Sequence, residues 1–256
     1  MAREETALVN PYRVDARAAD AMRPVRIEPH PLRHPEGSAL IEVGETRVLC
    51  TATVESGVPH FLRNDPKKMG TGWVTAEYAM IPRATNVRIP RERGSSGARS
   101  SEISRLVGRS LRAVCDLGAL GQRTVTVDCD VLQADGGTRA AAVTGGFVAL
   151  ALAMEKLRLD ESIVEWPLRH FAAAVSVGFV DGSVLLDLDY AEDSRAQLDV
   201  NVVKTQRMEI IEIQGTAETE PVPEETFRAM LALSDRGIRN LVECQRRALP
   251  GVPCPA

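Results

Sequence analysis

Residues 124–157 read TVTVDCDVLQADGGTRAAAVTGGFVALALAMEKL, and the change of period inside this stretch decides the fold. From Thr124 to Leu132 apolar and polar residues alternate, with Val125, Val127, Cys129 and Val131 on one face and Asp128 and Asp130 on the other. That pattern predicts a half-buried strand with a solvated acidic face. From Ala140 to Leu157 alanine and larger apolar residues dominate, which predicts a helix packed on several sides. Asp135-Gly136-Gly137-Thr138-Arg139 joins the two. A strand that enters a helix through glycines leaves the first helical N–H groups unpaired at the positive end of the helix dipole, a natural seat for phosphate. Gly136 and Gly137 permit close backbone approach, Thr138 offers a hydroxyl, and Arg139 a planar fork matched to phosphate oxygens. The same residues also read as an ordinary turn before a solvated arginine, and spacing alone leaves both readings open.

Working outward, Val25 to Pro29, Ala39 to Val43 and Arg47 to Val54 read as strands, the last two joined as a hairpin through Gly44-Glu45-Thr46. Trp73 to Met80 reads as another strand. Residues 84–100, rich in Arg, Gly and Ser and interrupted by Pro90, read as a mobile loop. Ile103, Leu106, Val107, Leu111 and Val114 recur at helical spacing, with Ser100 or Ser101 as cap and Arg105, Arg109 and Arg112 on the opposite, solvated or subunit-facing side. Downstream, Ala172 to Val180, Val184 to Leu188, Leu198 to Val203 and Glu209 to Gln214 read as strands, and a helix starts at Pro223-Glu224-Glu225 and runs to about Arg247. The expectation is one α+β domain over 1–248, mixed sheets packed against helices with an internal βαβ-like pseudo-repeat of sheet plus helix. A Pro-rich frayed tail over 249–256 follows.

With 44% hydrophobic residues in 256, the chain has material for a sizeable core, and its formal net charge of -4 argues against binding polyanions with its whole surface. A local patch is another matter: between Arg83 and Arg112 eight arginines face two carboxylates. Cysteines 50, 115, 129, 244 and 254 form no C-x-x-C pair, and their odd number fits a reducing compartment, so a cytoplasmic protein is expected. The amino-terminal segment lacks an apolar signal core, and no stretch reads as long enough to span a bilayer, so no membrane partner is expected. The scattered histidines 30, 34, 60 and 170 support neither a zinc site nor a histidine triad. Asp187, Asp189, Asp193 and Asp199 crowd one region near the anion loop, an arrangement that invites magnesium. Asp187 and Asp189 alternate with leucines and read as one solvent-facing strand side, and Asp193 reads as a turn residue. Asp199 opens an apolar strand, where an unpaired carboxylate is costly.

Eight blocks in order resemble the bacterial RNase PH family: RPV at 23–25, EGS at 36–38, EVGETRVLCTA at 42–52, GWVTAEY at 72–78, EISRLVGRSLR at 102–112, DCDVLQADGGTR at 128–139, EDS at 192–194 and EIQGTAE at 212–218. The resemblance is nearly full length and implies an RNase PH-type fold. It implies a phosphate-dependent 3′-to-5′ exoribonuclease, a tRNA nucleotidyltransferase that trims tRNA precursors and other RNA 3′ ends and releases nucleoside 5′-diphosphates. Carried over by residue, it implies that Gly137, Thr138 and Arg139 bind inorganic phosphate, that Arg99 is the second clamp, and that Asp193 and Asp199 hold Mg2+. Family text before the clamp helix is usually Ser-Gly-Arg, whereas this chain reads Ser96-Gly97-Ala98-Arg99, so Arg99 is placed by the Glu102-Ile103 register that follows. A threonine common after Arg139 is Ala140 here. The resemblance also implies a homohexamer of three dimers. Arg83, Arg88, Arg91 and Arg93 then read as gathering RNA backbone, a solvated loop or a subunit contact being the other reading. A catalytically silent RNA-binding ring subunit and a water-using nuclease are the competing functions.

Overall fold

Two sheets close on one buried helix in the computed structural model, which describes residues 13, 15–63, 69–91, 97–218 and 220–253. The first sheet contains β1 (Val25–Pro29), β2 (Gly37–Val43), β3 (Thr46–Ser56), β4 (Trp73–Met80) and β5 (Arg123–Gln133), in spatial order β1-β2-β3-β5-β4. A short α1 (His60–Arg63) follows β3, and α2 (Ala98–Ala113) with the one-turn α3 (Leu117–Leu120) carries the chain from β4 to β5. β4 and β5 are therefore parallel, while the other pairs in this sheet are antiparallel. After β5 comes α4 (Thr138–Leu159). The second sheet, wholly antiparallel, contains β6 (Ala172–Val180), β7 (Ser183–Leu186), β8 (Leu198–Thr205) and β9 (Ile210–Ala217) in order β7-β6-β8-β9. A one-turn α5 (Tyr190–Asp193) lies between β7 and β8, and α6 (Glu224–Ala248) ends the fold. Each half closes its sheet with a long helix, α4 or α6, which is the expected pseudo-repeat; the parallel βαβ unit occurs in the first sheet.

The strand predicted around Val125 is β5, with Val125, Val127, Cys129 and Val131 at most 1% exposed. The hairpin turn is tighter than expected. Val43 pairs with Thr46, so Gly44 and Glu45 alone make the turn, and Thr46 becomes a fully buried strand residue.

The helix predicted after the Gly-Gly loop is α4, which contacts β2 and β3 on one side and β6 on the other. From Ala140 to Met154 it is apolar all round because that part has no solvent side, and only its last turn, with Lys156 and Arg158, is exposed. Phe147 and Phe171 meet there with ring centroids 5.2 Å apart, and burying one such phenyl contributes about 1.5–3 kcal/mol. The expectation that no stretch could span a bilayer is corrected by this element: its 22 residues are long and apolar enough by length and composition, but 89% of that window is buried between the sheets.

Three other expectations change. α2 starts at Ala98 with Gly97 as N-cap and no side-chain cap, so Ser100 sits inside the first turn, 4% exposed, instead of capping it. Of the loop expected to be mobile, residues 84–91 are tied down: Ala84 is buried, the Ala134 N–H donates to its carbonyl at 2.8 Å, and the Ile89 N–H donates to Pro82 at 2.9 Å. The tail expected to fray from residue 249 is anchored at its start, with Leu249 3% exposed and Val252 packed against the core. Residues 254–256 lie outside the described residues.

Candidate active site

The loop between β5 and α4 is held open by its backbone. Gly136 and Gly137 have φ of +74° and +68°, and Gly137 is the N-cap of α4 without any side-chain cap, so the first-turn amides point outward unclaimed by side chains. Three residues far away in sequence fix this shape. Thr46 accepts from the Asp135 N–H at 2.9 Å and donates to the Gly136 carbonyl at 2.7 Å. Arg23 donates to the Asp135 carbonyl and is itself locked to Asp187, Nη2 to Oδ1 at 2.7 Å and Nε to Oδ2 at 3.0 Å. Tyr78, 3% exposed, donates its hydroxyl to Thr138 Oγ1 at 2.9 Å, which leaves the Thr138 proton free to be donated outward. Burial pushes the Tyr78 phenol up, against the pull of Thr138, Arg99 and Arg139, so it remains a neutral donor at physiological pH.

This loop forms one wall of a cavity of about 740 Å³ that Arg99, Arg139, Asp193 and Asp199 also line. Arg139, in the first turn of α4, has a side chain 20% exposed and reaches Gln214 Oε1 at 3.3 Å and Glu102 Oε1 at 3.5 Å. Arg99 stands exposed in the first turn of α2. Asp193 ends α5 at the mouth of the cavity. Partial enclosure by the walls raises its pKa, while Arg139 and Arg99 oppose the rise. Asp199, half-buried on β8, is pushed up to about 6 by burial first and by the charge of Asp193 second. Its Oδ2 accepts from Asn201 Nδ2 at 3.2 Å, and its buried Oδ1 has no hydrogen-bond partner.

An orphaned carboxylate oxygen beside a second carboxylate, both hard donors, fits Mg2+, which typically takes one or two carboxylates and keeps several waters. Among the described residues no group of three or more His, Cys, Asp or Glu side chains is placed to form an all-protein metal cage.

Not every sequence expectation lands in the cavity. Asp187 and Asp189 do not share a solvent-facing strand side, because β7 ends at Leu186 and Asp187 turns with φ +55°. Asp187 is 3% exposed and paired with Arg23, and Asp189 caps α5 by accepting from the Glu192 N–H at 2.8 Å. Arg83, Arg88 and Arg91 are exposed on the segment beside the cavity, which contributes Thr85 and Ile89 to its wall; Arg93 lies outside the described residues. Arg109 and Arg112 are not simply solvated. Arg109 Nε pairs with Glu212 at 2.9 Å, and Arg112 lies 4.2 Å from the Trp73 ring centroid while donating to the Val74 carbonyl at 2.6 Å. Sequence reasoning missed the roles of Arg23, Thr46, Tyr78 and Asn201, and assigned Asp187 to a solvent-facing side that it does not occupy. All but Asp187 and Asn201 fall inside blocks of the family resemblance, the one signal that could have marked them.

Comparison with known proteins gives the family. Residues 21–154 match domain 1 of the 3′ exoribonuclease family and residues 170–237 match domain 2. Ribonuclease PH of Halalkalibacterium halodurans is 52% identical over 244 residues, covering 94% of this chain and 93% of the relative. Ribonuclease PH of Moorella thermoacetica is 52% identical over 239 residues, 93% of this chain and 94% of the relative. Among solved structures, an Archaeoglobus fulgidus exosome with RNA bound to its active site superposes with a TM-score of 0.76 at 24% identity, over 90% of this chain and 91% of that one. Rice Rrp46 superposes with a TM-score of 0.73 at 22% identity, over 91% and 98%; at such identities these structures support the fold alone. The two matched domains and the half-identical relatives over nearly the whole length place the chain in the 3′ exoribonuclease family, among the bacterial ribonuclease PH proteins.

Proposed function

We propose that the chain removes nucleotides from RNA 3′ ends by phosphorolysis at the cavity between α2, α4, α5 and β8. It is a phosphate-dependent 3′-to-5′ exoribonuclease acting on tRNA precursors, a nucleotidyltransferase by reaction type. The observation that carries the site is the convergence of an uncapped helix N-terminus, two arginines and two carboxylates in one cavity. Phosphate seated on the Gly137 and Thr138 amides, the Thr138 hydroxyl, Arg139 and Arg99 attacks the last phosphodiester phosphorus in line. The ribose 3′ oxygen of the penultimate nucleotide leaves, and a nucleoside 5′-diphosphate is released. Two anions must approach, so these residues work by positioning and neutralising charge. Asp193 and Asp199 would hold Mg2+, which when bound would supply further neutralisation of the developing charge. One phosphate bond replaces another, so the reaction also runs backward and adds nucleotides from diphosphates.

Arg83, Arg88 and Arg91, exposed beside the cavity, gather RNA backbone together with Arg93, a contact that weakens with salt. The chain works in the cytoplasm as a homohexamer of three dimers. A silent ring subunit would have no use for four site residues converging on one cavity. A water-using nuclease would need a general base or a two-metal carboxylate set.

The deciding assay incubates the protein with a 3′-extended tRNA and Mg2+, with and without phosphate. Diphosphates released only with phosphate support the proposal, whereas monophosphates without it, or no release, sink it. The loop geometry makes a second prediction. A Cβ at Gly136 would lie 2.5 Å from the Leu188 carbonyl oxygen and 2.6 Å from the Asp189 carbonyl carbon, at a φ that already disfavours side chains. Gly136→Ala should cost up to about 100-fold in kcat/KM for phosphate, since small displacements of positioning groups have effects of that order. A phosphate titration at saturating RNA measures it.

A further inference from the structure

Ahead of β1, two arginines among the described residues, Arg13 and Arg23, each grip a different part of the cavity wall from behind. Arg13 is 3% exposed, and its guanidinium forms a two-point bridge to Glu192, Nε to Oε1 at 2.7 Å and Nη2 to Oε2 at 3.0 Å. The same Nη2 donates to the carbonyls of Leu186 at 2.9 Å and Asp187 at 3.0 Å, and Nη1 donates to Ala18 at 3.0 Å. Glu192 is fully buried, and its Oε2 also accepts from the Asp189 N–H at 3.1 Å, closing the capping box of α5. A helix of four residues cannot hold its own shape. The shape of α5 is set instead by what Glu192 touches, and the next residue is Asp193. Arg17 approaches the same carboxylate at 3.6 Å and Asp187 at 3.4 Å, but neither contact replaces the two-point bridge. Arg23, by contrast, reaches the Asp135 carbonyl and so braces the phosphate loop.

We propose that Arg13 is a positioning residue for the metal half of the site, acting through Glu192 to fix the carboxylate of Asp193, and that its single bond to the Asp187 carbonyl bears less on the phosphate half, because Arg23 is held there by the Asp187 carboxylate. The inference rests on Asp193 and Asp199 holding a divalent cation. Groups that orient metal ligands from behind typically govern 10- to 100-fold in affinity. Arg13→Lys keeps the charge but loses the planar bridge, and Glu192→Gln keeps a capping oxygen but loses the ion pair.

The test measures Mn2+ binding by calorimetry on the full chain without RNA or phosphate, with a thermal melt to confirm folding, and separately the KM for phosphate. Arg13→Lys should weaken Mn2+ about tenfold or more, while KM for phosphate stays within about twofold, the split that marks a local effect. Leaving buried Glu192 with only Arg17 at 3.6 Å as a cationic partner threatens folding, so a second variant, Arg13→Gln with Glu192→Gln, removes both charges. It should bind Mn2+ as weakly as Glu192→Gln alone, because Arg13 then has nothing to act through. The proposal is overturned if Arg13→Lys binds Mn2+ like the unaltered protein, if KM for phosphate rises in parallel, or if the double variant loses further affinity. It is also overturned if the unaltered protein binds no Mn2+, or if Asp193→Asn binds it undiminished. Because binding is read without turnover, each of those results is distinct from a failure to release diphosphates, which would strike at phosphorolysis itself.

Discussion

Arg139→Ala should lose about 100- to 1,000-fold in phosphate-dependent turnover, the range seen when one preorganised donor to a reacting anion is removed. The cavity explains why the loss should be large. Asp193 and Asp199 share it with the incoming phosphate, and Arg139 is the cation that opposes the raised pKa of both. Without it, phosphate must enter against two carboxylates with exposed Arg99 as the remaining cation of the clamp, beside the loop amides and the Thr138 hydroxyl. Folding should survive, because the side chain's own contacts are long, 3.3 Å to Gln214 and 3.5 Å to Glu102, and the body of α4 is untouched. Initial rates of diphosphate release with phosphate titrated at saturating RNA give both kcat and KM. Arg99→Ala should move them in the same direction, and unchanged phosphate dependence in either variant would falsify its place in the clamp. Arg139→Lys, which keeps charge but loses the fork, should recover part of the rate.

What could be read in advance follows from how far each interaction reaches along the chain. Period-two alternation located β5, and the switch to a dense apolar run located α4, because both are set by which side of a local element faces the core. The Gly-Gly-Thr-Arg loop was legible for the same reason: strand, glycines and helix start are adjacent. Arg23 and Asp187 were not. They are 164 positions apart, and nothing in the spacing of either announces the other. Asp187 was misplaced because its alternation with leucine persists beyond the end of β7, where a positive φ turns the chain and buries the carboxylate. Thr46 illustrates a subtler limit. Its β-branched side chain suits a strand or a turn, and only the third dimension shows both its hydrogen bonds committed to the Asp135-Gly136 backbone. Arg99, in an exposed first turn, carries no local sign of function, and its proposed place in the clamp rests on the family resemblance.

Asp199→Asn should abolish most turnover and at the same time stabilise the metal-free protein. The sign follows from its titration. In the folded chain Asp199 ionises at about 6, against an ordinary 3.8. Between those values the folded state holds a proton that the unfolded state has released, so metal-free stability falls as pH rises through this window and stays low above it. At 1.36 kcal/mol per pH unit the loss is about 3 kcal/mol. Asparagine has no charge to desolvate, so in EDTA at pH 7.5 the variant should melt higher, by about 2–4 °C per kcal/mol regained for a chain of this length. The gap should shrink as pH is lowered from 6 towards 3.8 and close below it, where the unaltered aspartate is protonated in both states. Mg2+ should reverse the order, raising the melting temperature of the unaltered protein and leaving the variant where it was, because the orphaned Oδ1 then has its partner. Asp193→Asn should act on the same equilibrium from outside, lowering the Asp199 pKa by removing the neighbouring charge and stabilising the metal-free chain by less. If Asp199→Asn instead melts lower than the unaltered protein in EDTA at pH 7.5, the carboxylate is not a strained group awaiting a cation, and the metal half of the site must be sought elsewhere in the cavity.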